Sequence, residues 1–459
     1  MATDAYCLEE VLAIANAHPF YNSTISYPPN AETIEALRGS KVGQTDQPGL
    51  KSRSLLSKKD LYEVIQRLVN DTNVKNTYRR GVYTSVTGGG GGGQPLFFAT
   101  DVHENRRQRA SFGRFLRTTG LIDDDDWVLT THCAGQLYRS LDLMLEIFEN
   151  AGATVLAAGN YMSPAEVVRL LISYHVNVLT GDGSQIIQVV HHISTLSPED
   201  RQRVNLTKVI YSSEVLTAAQ RLHIKETLGS NARIYSLLGS AEAGPWGVSS
   251  TELCGREIKT ATADFVYDTR HMLIEILPEV CIETGSTTEC LQDGEKGIIV
   301  QTSLCRLRNP LVRYITGDIG SLHSLPESAR SVVPEADWAY LKIVRLEGRD
   351  RRFGFDWDGF CIEFENVAAM MSKEDFGVLQ WQVILHKMEP SQEAGLEIRV
   401  LCSSKSAEVK CTTELRHFFH VYSANEHRFR TVYVDGLDGF ERSATGRKVI
   451  KLVDRFTKG

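Results

Sequence analysis

The sequence lacks several features that define whole classes of protein. Its nine cysteines, among 459 residues, include no Cys-x-x-Cys pair, which favours free thiols in a reducing compartment over a disulfide framework. No run of about 18 consecutive apolar residues is present, so no transmembrane helix is expected. Residues 1–21 show no basic region followed by an apolar one, so no signal peptide is expected either.

The chain also has no surplus of positive charge. Lys and Arg total 50 and Asp and Glu total 57, which gives a net charge of -7 at pH 7. Such a balance provides no basic field for a nucleic-acid backbone or an anionic membrane. We therefore expect neither a nucleic acid nor a membrane as a partner, and we expect a cytoplasmic protein.

The composition that is present belongs to a soluble globular chain. Hydrophobic residues make up 42% and charged residues 23%, which excludes the disordered and collagen classes. At roughly 100–200 residues per domain, the length predicts two or three domains.

Strand and helix patterns alternate between residues 150 and 240. Short apolar runs predict strands over 153–158, 176–180, 208–211 and 233–238. Helical patterns lie between these runs: one follows a capping box at Ser163, one covers 186–193, and one runs from Thr217 to residue 228. This alternation predicts a parallel sheet covered by helices on both faces. Ligands of such sheets bind at the carboxyl ends of the strands.

The pattern changes after residue 264. Shorter apolar runs over 272–276, 297–301 and 340–344 predict a β-rich subdomain. A block of about 105 residues then resembles a small α/β domain, with strands over 378–385, 396–401 and 431–434 and a helix over 412–421. We place the boundary near Asp350. The predicted fold is therefore α/β, with an N-terminal domain over 1–349 and a small, mobile C-terminal domain over 350–459.

A run of six glycines after Thr84-Ser85-Val86-Thr87 is the most unusual string in the sequence. Glycines let the backbone approach an anion with successive N–H groups, and Thr and Ser add hydroxyl donors. A flexible surface linker is the alternative. The run lacks the Gly-Lys-Ser/Thr of a Walker loop, but it lies between two strand-like segments, which suits a phosphate-binding loop.

The string Asn309-Pro-Leu-Val-Arg-Tyr-Ile-Thr-Gly-Asp-Ile319 is the second candidate. An ionised Asp318 could accept hydrogen bonds from both hydroxyls of a ribose, as acidic residues do in dinucleotide sites. Taken alone, the same string could be a turn stabilised by an ion pair.

These strings, in this order, resemble the adenylate-forming ligase superfamily, which includes acyl-CoA synthetases, adenylation domains and luciferases. They are most similar to its phenylacetate–coenzyme A ligase-like branch, over nearly the whole chain. The matching segments are His18–Tyr21, Leu55–Leu61, Thr84–Pro95, Ser212–Glu214, Leu238–Glu242, Pro310–Asp318, Gly348–Asp350 and Gly446–Arg455.

The resemblance implies an enzyme that joins a carboxylate to the α-phosphate of ATP and leaves an acyl-adenylate. It implies that Lys448 and Glu242 are catalytic, with Lys448 bridging the carboxylate and the α-phosphate, and Glu242 binding Mg²⁺. A lysine in a basic tail would otherwise be a solvated charge. Coenzyme A is the expected acceptor, so the expected cofactors and substrates are ATP, Mg²⁺, coenzyme A and a small carboxylic acid, aryl or similar.

The resemblance also implies which residues bind the nucleotide and the acid. Asp350 would be the hinge. The nucleotide-binding residues would be Thr84, Ser85, Thr87, Gly88, Gly89, Gly90, Ser213, Glu214, Gly239, Ser240, Asp318 and Arg349. The acid pocket would contain His132, Tyr138, Gly239, Pro245 and Trp246.

Several alternatives stay open at this level. Asp182 and Ser184 could bind an amino group, which would make the substrate an amino acid. Gln94 stands where the family has Lys or Thr, so a cation is missing from the phosphate loop. The acceptor could be an amine or a carrier-protein thiol, and the chain could be a non-catalytic paralog that binds nucleotide. A homodimer is compatible with the sequence.

Overall fold

The computed structural model describes most of the chain and its side chains. The described residues are 5–39, 49–86, 97–135, 137–212, 216–255, 262–279, 281, 289–349, 354–358, 360–389, 393–444 and 446–456. In these ranges, no helix combines the length and the apolar character needed to cross a membrane.

Helices and strands alternate through the first half, and strands predominate after it. The strands are β1 (Val82–Val86), β2 (Phe97–Asp101), β3 (Trp127–Thr130), β4 (Ala134–Gly135), β5 (Tyr138–Arg139), β6 (Thr154–Ala157), β7 (Val178–Asp182), β8 (Lys208–Ser212), β9 (Arg233–Ser240), β10 (Gly244–Ser249), β11 (Ala263–Asp268), β12 (Met272–Leu277), β13 (Gly297–Ser303), β14 (Tyr314–His323), β15 (Leu341–Arg349), β16 (Gly354–Trp357), β17 (Phe360–Glu363), β18 (Val378–Lys387), β19 (Ala394–Cys402), β20 (Phe429–Tyr433) and β21 (Leu452–Asp454).

The α-helices follow the same chain order. They are α1 (Leu8–Asn16), α2 (Ala31–Gly39), α3 (Lys58–Asn70), α4 (Val102–Thr118), α5 (Ser140–Asn150), α6 (Pro164–Ser173), α7 (Gly183–Ser194), α8 (Pro198–Gln202), α9 (Ala218–Leu228), α10 (Thr251–Cys254), α11 (Glu335–Trp338), α12 (Phe364–Met371) and α13 (Lys405–Phe418).

The predicted alternation over 150–240 is confirmed element by element. Ser163 accepts from the backbone of Glu166 in a capping box, and Thr217 caps α9 in the same way. Strands β3, β6, β7, β8 and β9 pair in parallel. Local capping chemistry and apolar periodicity are sufficient to define these elements.

The β-rich region joins the parallel strands in one sheet. The order is β12-β13-β14-β15-β11-β10-β9-β8-β7-β3-β6, and every pair from β9 to β12 is antiparallel. The subdomain is therefore a continuation of the sheet, because the β9–β10 hairpin reverses the chain direction within it.

The C-terminal part has its own four-stranded sheet, ordered β20-β19-β18-β21. The helix predicted over 412–421 was wrong in its bounds, since α13 begins at Lys405, where Ser404 caps it, and ends at Phe418. The polar first turn of α13 carries little apolar periodicity, which is why the pattern alone placed its start too late.

The C-terminal part packs against the N-terminal sheet through an apolar contact. Leu379, Leu437, Phe440 and Val449 share a buried cluster with residues of β7, β8, α7 and α9. Gln380 Nε2 donates to Ser184 Oγ at 2.7 Å across this contact. This packing brings residues near 450 to the carboxyl ends of the parallel strands.

Candidate active site

A cavity of about 590 Å³ lies where the large sheet meets the C-terminal part. The N-terminal residues that line it include Lys58, Gly239, Ser240, Glu242, Trp246 and Asp318, and the C-terminal ones include Phe364, Trp381 and Lys451. Five residues predicted from the sequence therefore line this cavity. A sixth, Pro245, lies beside it because it directly precedes Trp246 in β10. A larger groove, about 690 Å³, lies along α9 and is lined by none of the predicted residues.

Glu242 is the buried carboxylate of this cavity, only 4% exposed. Tyr62 donates to Glu242 Oε1 at 2.8 Å, and Lys58 Nζ lies 3.3 Å from the same oxygen. Burial by itself would raise the pKa of Glu242, but the Lys58 charge and the hydrogen bonds outweigh burial and hold its pKa below the ordinary value. The carboxylate is therefore ionised at neutral pH.

A divalent cation fits this carboxylate. Mg²⁺ is usually held by one or two carboxylates and by substrate phosphates, with no complete protein cage. In the described part of the chain no group of three or more His, Cys, Asp or Glu converges on a metal site, so phosphates would have to complete the coordination. Lys58 already lies beside Glu242 and would have to yield part of that contact.

Asp318 and Arg349 lie opposite each other in adjacent strands. The register of β14 and β15 pairs Asp318 with Arg349, and the Asp318 N–H donates to Thr316 Oγ1 at 3.0 Å. The side chain of Arg349 is outside the described residues. The backbone alone thus brings together two predicted ribose-binding positions that are 31 residues apart in sequence.

The hairpin between β9 and β10 forms one wall. Gly239 pairs with Pro245, and a Cβ atom on Gly239 would lie 2.8 Å from the Gly244 carbonyl oxygen. Only glycine fits there without moving the backbone. Trp246 is 7% exposed and packs edge-on against Tyr267, with ring centroids 5.8 Å apart.

Part of the predicted nucleotide site lies outside the described residues. Thr84 and Ser85 lie in β1, opposite Ala99 and Phe98 of β2. The predicted positions outside the described residues are Thr87, Gly88, Gly89, Gly90, Ser213, Glu214 and Asp350.

His132 lies at the carboxyl end of β3 and is fully buried. Its Nδ1 is 2.9 Å from Thr130 Oγ1 and its Nε2 is 3.1 Å from Ser212 Oγ. Burial, offset in part by Asp182 and reinforced by Lys448, lowers the pKa of His132 to about 4. The imidazole is therefore neutral at pH 7 and occupied at both nitrogens, so it is not placed as a general base.

Lys448 lies in a second group of residues, on a loop between Arg442 and Val449 that an isolated β-bridge closes. Ser443 Oγ accepts from the Lys448 N–H at 3.1 Å, and the Ser443 N–H donates to the Lys448 carbonyl at 2.8 Å. Lys448 hydrogen-bonds Tyr138, although burial dominates and raises the pKa of that phenol.

The same loop contacts the N-terminal domain beside Lys448. The Cys133 thiol donates to the Gly446 carbonyl at 2.9 Å, and it also lies 3.9 Å from Asp182 Oδ2. Burial, with the Asp182 charge, raises the pKa of Cys133 to about 12, so this thiol is protonated. Lys448 is thus seated among polar groups at the ends of β3 and β7.

The predicted acid pocket is divided between these two groups. Gly239, Pro245 and Trp246 lie at the cavity wall with Glu242, whereas His132 and Tyr138 lie with Lys448. Ser184, considered above as an amino-group ligand, accepts a hydrogen bond from Gln380.

Three residues in or beside the cavity are not among the predicted site residues. Lys58 lies in the matching segment Leu55–Leu61, in the first turn of α3, where a lysine gives no local signal of a site. Tyr62, one turn later, donates to Glu242 and has the apolar spacing of a core residue. Lys451, in the same basic tail as Lys448, lines the cavity together with Lys58.

No protein-family model and no curated protein matches the sequence. Solved structures do match. A 2-hydroxyisobutyryl-CoA ligase in its postadenylation state is similar over 97% of this chain and 87% of its own, with 16% identity and a TM-score of 0.63. The same protein in its thioesterification state has a TM-score of 0.54.

An anthranilate CoA ligase with bound anthranoyl-AMP is similar over 82% of this chain and 67% of its own, with 14% identity and a TM-score of 0.50. The chain therefore has the fold of the adenylate-forming ligases. Both named neighbours are CoA ligases whose structures contain an acyl-AMP. At these identities the likeness establishes the fold.

Proposed function

We propose that the protein is an ATP-dependent carboxylate–AMP ligase that passes the acyl group to coenzyme A. The observation that carries this proposal is the cavity in which Gly239, Ser240, Glu242 and Asp318 converge with residues of the C-terminal part. The order of the motifs and the fold of the neighbours support the same activity.

In the first half-reaction a carboxylate oxygen of the acid attacks the α-phosphorus of ATP. The bond to the bridging oxygen breaks and pyrophosphate leaves with its electron pair. Two like charges about 4 Å apart repel by roughly 4 kcal/mol at an effective dielectric of 20, so cations must offset the approach of two anions. Lys448 is proposed to do this at the carboxylate.

The other proposed roles follow from position. Asp318 and Arg349 would bind the ribose, with Asp350 as the pivot of the C-terminal part. Glu242 would hold Mg²⁺, which supplies charge neutralisation on the phosphates when bound. Since the attacking carboxylate has no proton to lose, a neutral His132 occupied at both nitrogens is compatible with this chemistry.

In the second half-reaction the thiol of coenzyme A loses its proton to solvent, its sulfur attacks the acyl carbon, and AMP leaves with the electron pair of the broken bond. The thioesterification and postadenylation states of the neighbour differ in their similarity to this chain, with TM-scores of 0.54 and 0.63. This difference supports the proposal that the C-terminal part is arranged here as in the postadenylation state and not as in the thioesterification state.

The direct test is exchange of labelled pyrophosphate into ATP with a panel of aryl, hydroxy, aliphatic and amino acids. Acid-dependent exchange is expected. Folded protein that binds ATP and exchanges with no acid would contradict the proposal. Product analysis by mass spectrometry, with coenzyme A, amines or a carrier protein added, then identifies the acceptor.

A further inference from the structure

Lys451 places an ammonium group in the cavity from the C-terminal side. It directly precedes β21 and lines the cavity together with Glu242 and Asp318. Its Nζ donates to Gln380 Oε1 and lies 4.8 Å from the centroid of the Trp381 ring. Two of the contacts of this ammonium are therefore an amide oxygen and the face of an indole.

The group that holds Lys451 is itself fixed across the domain contact. Gln380 is 1% exposed, and its Oε1 also accepts from the Trp381 N–H at 2.9 Å. Its Nε2 donates to Ser184 Oγ of α7 at 2.7 Å. Because the amide is held from both sides, the position of Lys451 depends on the packing of the C-terminal part against the N-terminal sheet.

A nucleotide in this cavity would need donors or cations for its phosphates. Lys58 lies 3.3 Å from Glu242, so much of its charge is matched by that carboxylate. Asp318 adds a second negative charge to the lining. A triphosphate brings three to four more, and these need donors or cations within the cavity, where the effective dielectric is below that of water.

Lys448 is not among the residues that line this cavity. Its loop is fixed beside Cys133 and Tyr138, at the ends of β3 and β5. The two lysines, three residues apart in sequence, are therefore directed to different groups of side chains.

We propose that Lys451 binds phosphate oxygens of the nucleotide in this domain arrangement, while Lys448 acts on the carboxylate of the acid. The inference rests on the proposed function and divides its cationic role between two residues. Lys451 governs nucleotide affinity, and Lys448 governs the rate of the chemical step. Lys451 takes part only while the C-terminal part is packed as it is here, so it contributes to adenylation and not to thioester formation.

The test measures binding of the unreactive analogue α,β-methylene-ATP to the full chain by isothermal titration calorimetry. Lys451→Met is expected to weaken binding about tenfold, the effect of losing one charge-assisted hydrogen bond, and Lys451→Arg is expected to retain most of the affinity. Lys405→Ala, which removes an exposed charge from the same part of the chain, is expected to bind as the unmodified protein does.

A kinetic comparison separates the two lysines. In pyrophosphate exchange, Lys451→Met is expected to raise KM for ATP, whereas Lys448→Ala lowers kcat and leaves analogue binding intact. Thioester formation from a supplied acyl-adenylate is expected to be unchanged in Lys451→Met. Lys451→Gln provides a second uncharged side chain if the methionine variant does not fold.

The outcomes distinguish this inference from the proposed function. Equal analogue affinity of the unmodified protein and the uncharged variants overturns the role of Lys451 and leaves the ligase proposal standing. Analogue binding without any acid-dependent exchange contradicts the ligase proposal, while the affinity comparison still decides whether Lys451 contacts phosphate. Absence of analogue binding in the unmodified protein overturns both.

Discussion

At the residue scale, the chemistry depends on a few charges placed in a buried setting. Glu242 keeps its charge because Lys58 and Tyr62 compensate for burial. His132 loses its charge because burial outweighs the opposing charge of Asp182. Two buried side chains thus differ in charge at neutral pH, according to the charged partners that each has.

Lys448→Ala tests the proposed catalytic lysine. Removing a cation that stabilises developing charge typically costs about 100-fold or more in rate, so exchange is expected to fall by about that factor in kcat. The thermal unfolding temperature is expected to stay near that of the unmodified protein. Lys448 lies on a loop that is closed by contacts of its backbone with Ser443, and the substitution leaves these contacts in place. Unchanged exchange would contradict the catalytic role of Lys448.

His132 predicts a specific pH dependence of stability. Its pKa is about 4 in the folded protein against 6.5 ordinarily, so below pH 6.5 the unfolded chain binds a proton that the folded protein does not. Stability is therefore lost as pH falls from 6.5 towards 4, by about 2 kcal/mol between pH 7 and 5 for one such group.

Urea unfolding of the unmodified protein and of His132→Asn at pH 7 and pH 5 measures this contribution. The variant is expected to be less stable at pH 7 but to lose less stability on acidification. His18, whose pKa burial lowers to about 3, remains in both proteins and cancels in the comparison. Equal losses in the two proteins would contradict the assignment.

At the scale of elements, the loop over 442–449 and its contact surface on the N-terminal domain are matched in shape. The Cys133 thiol donates to the Gly446 carbonyl, and the Tyr138 ring lies 3.3 Å from where a Gly446 Cβ would be. That separation is tighter than an ordinary van der Waals contact, so a side chain at position 446 would need Tyr138 or the loop to shift by a few tenths of an ångström.

Gly446→Ala is therefore expected to reduce the adenylation rate several-fold while the fold is retained. Gly49→Ala is the control, because a Cβ there meets nothing within 4 Å. A Gly446→Ala protein with full exchange would show that this close contact does not position Lys448.

At the scale of the whole molecule, the arrangement of its two parts decides which groups are accessible. Cys133 is fully buried beneath the Gly446 carbonyl. Cys7 is exposed, and Cys411 lies in the core of the C-terminal part. These three thiols therefore differ in what a rotation of the C-terminal part would do to them.

If the C-terminal part rotates between the half-reactions, as proposed, Cys133 becomes reactive only in the thioester-forming state. Maleimide labelling followed by peptide mass spectrometry should show slow modification of Cys133 in the free protein. Faster modification is expected with desulfo-coenzyme A, which has no thiol to consume the maleimide, and a non-transferable acyl-adenylate analogue present. Cys7 is the reference that is labelled in every state, and Cys411 is the reference that stays protected. Constant protection of Cys133 would argue against rotation.

Much of the architecture could be predicted from the sequence. The capping residues Ser163 and Thr217 and the apolar runs between them gave the parallel strands and their helices, because those signals act within a dozen residues. The start of α13 could not be predicted, because its first turn is polar and no local pattern distinguishes the capping residue Ser404 from other serines.

The sequence by itself determined the order of the motifs, the strands over 176–180, 208–211 and 233–238, and the identity of Glu242 and Asp318 as candidates. Only the tertiary structure decided which side chains meet. It joined the β-rich region to the parallel sheet, brought Lys58 to Glu242, separated His132 and Tyr138 from Trp246, and placed Lys451 in the cavity. The reason is physical: periodicity and capping are local, whereas convergence across hundreds of residues depends on how sheets and domains pack.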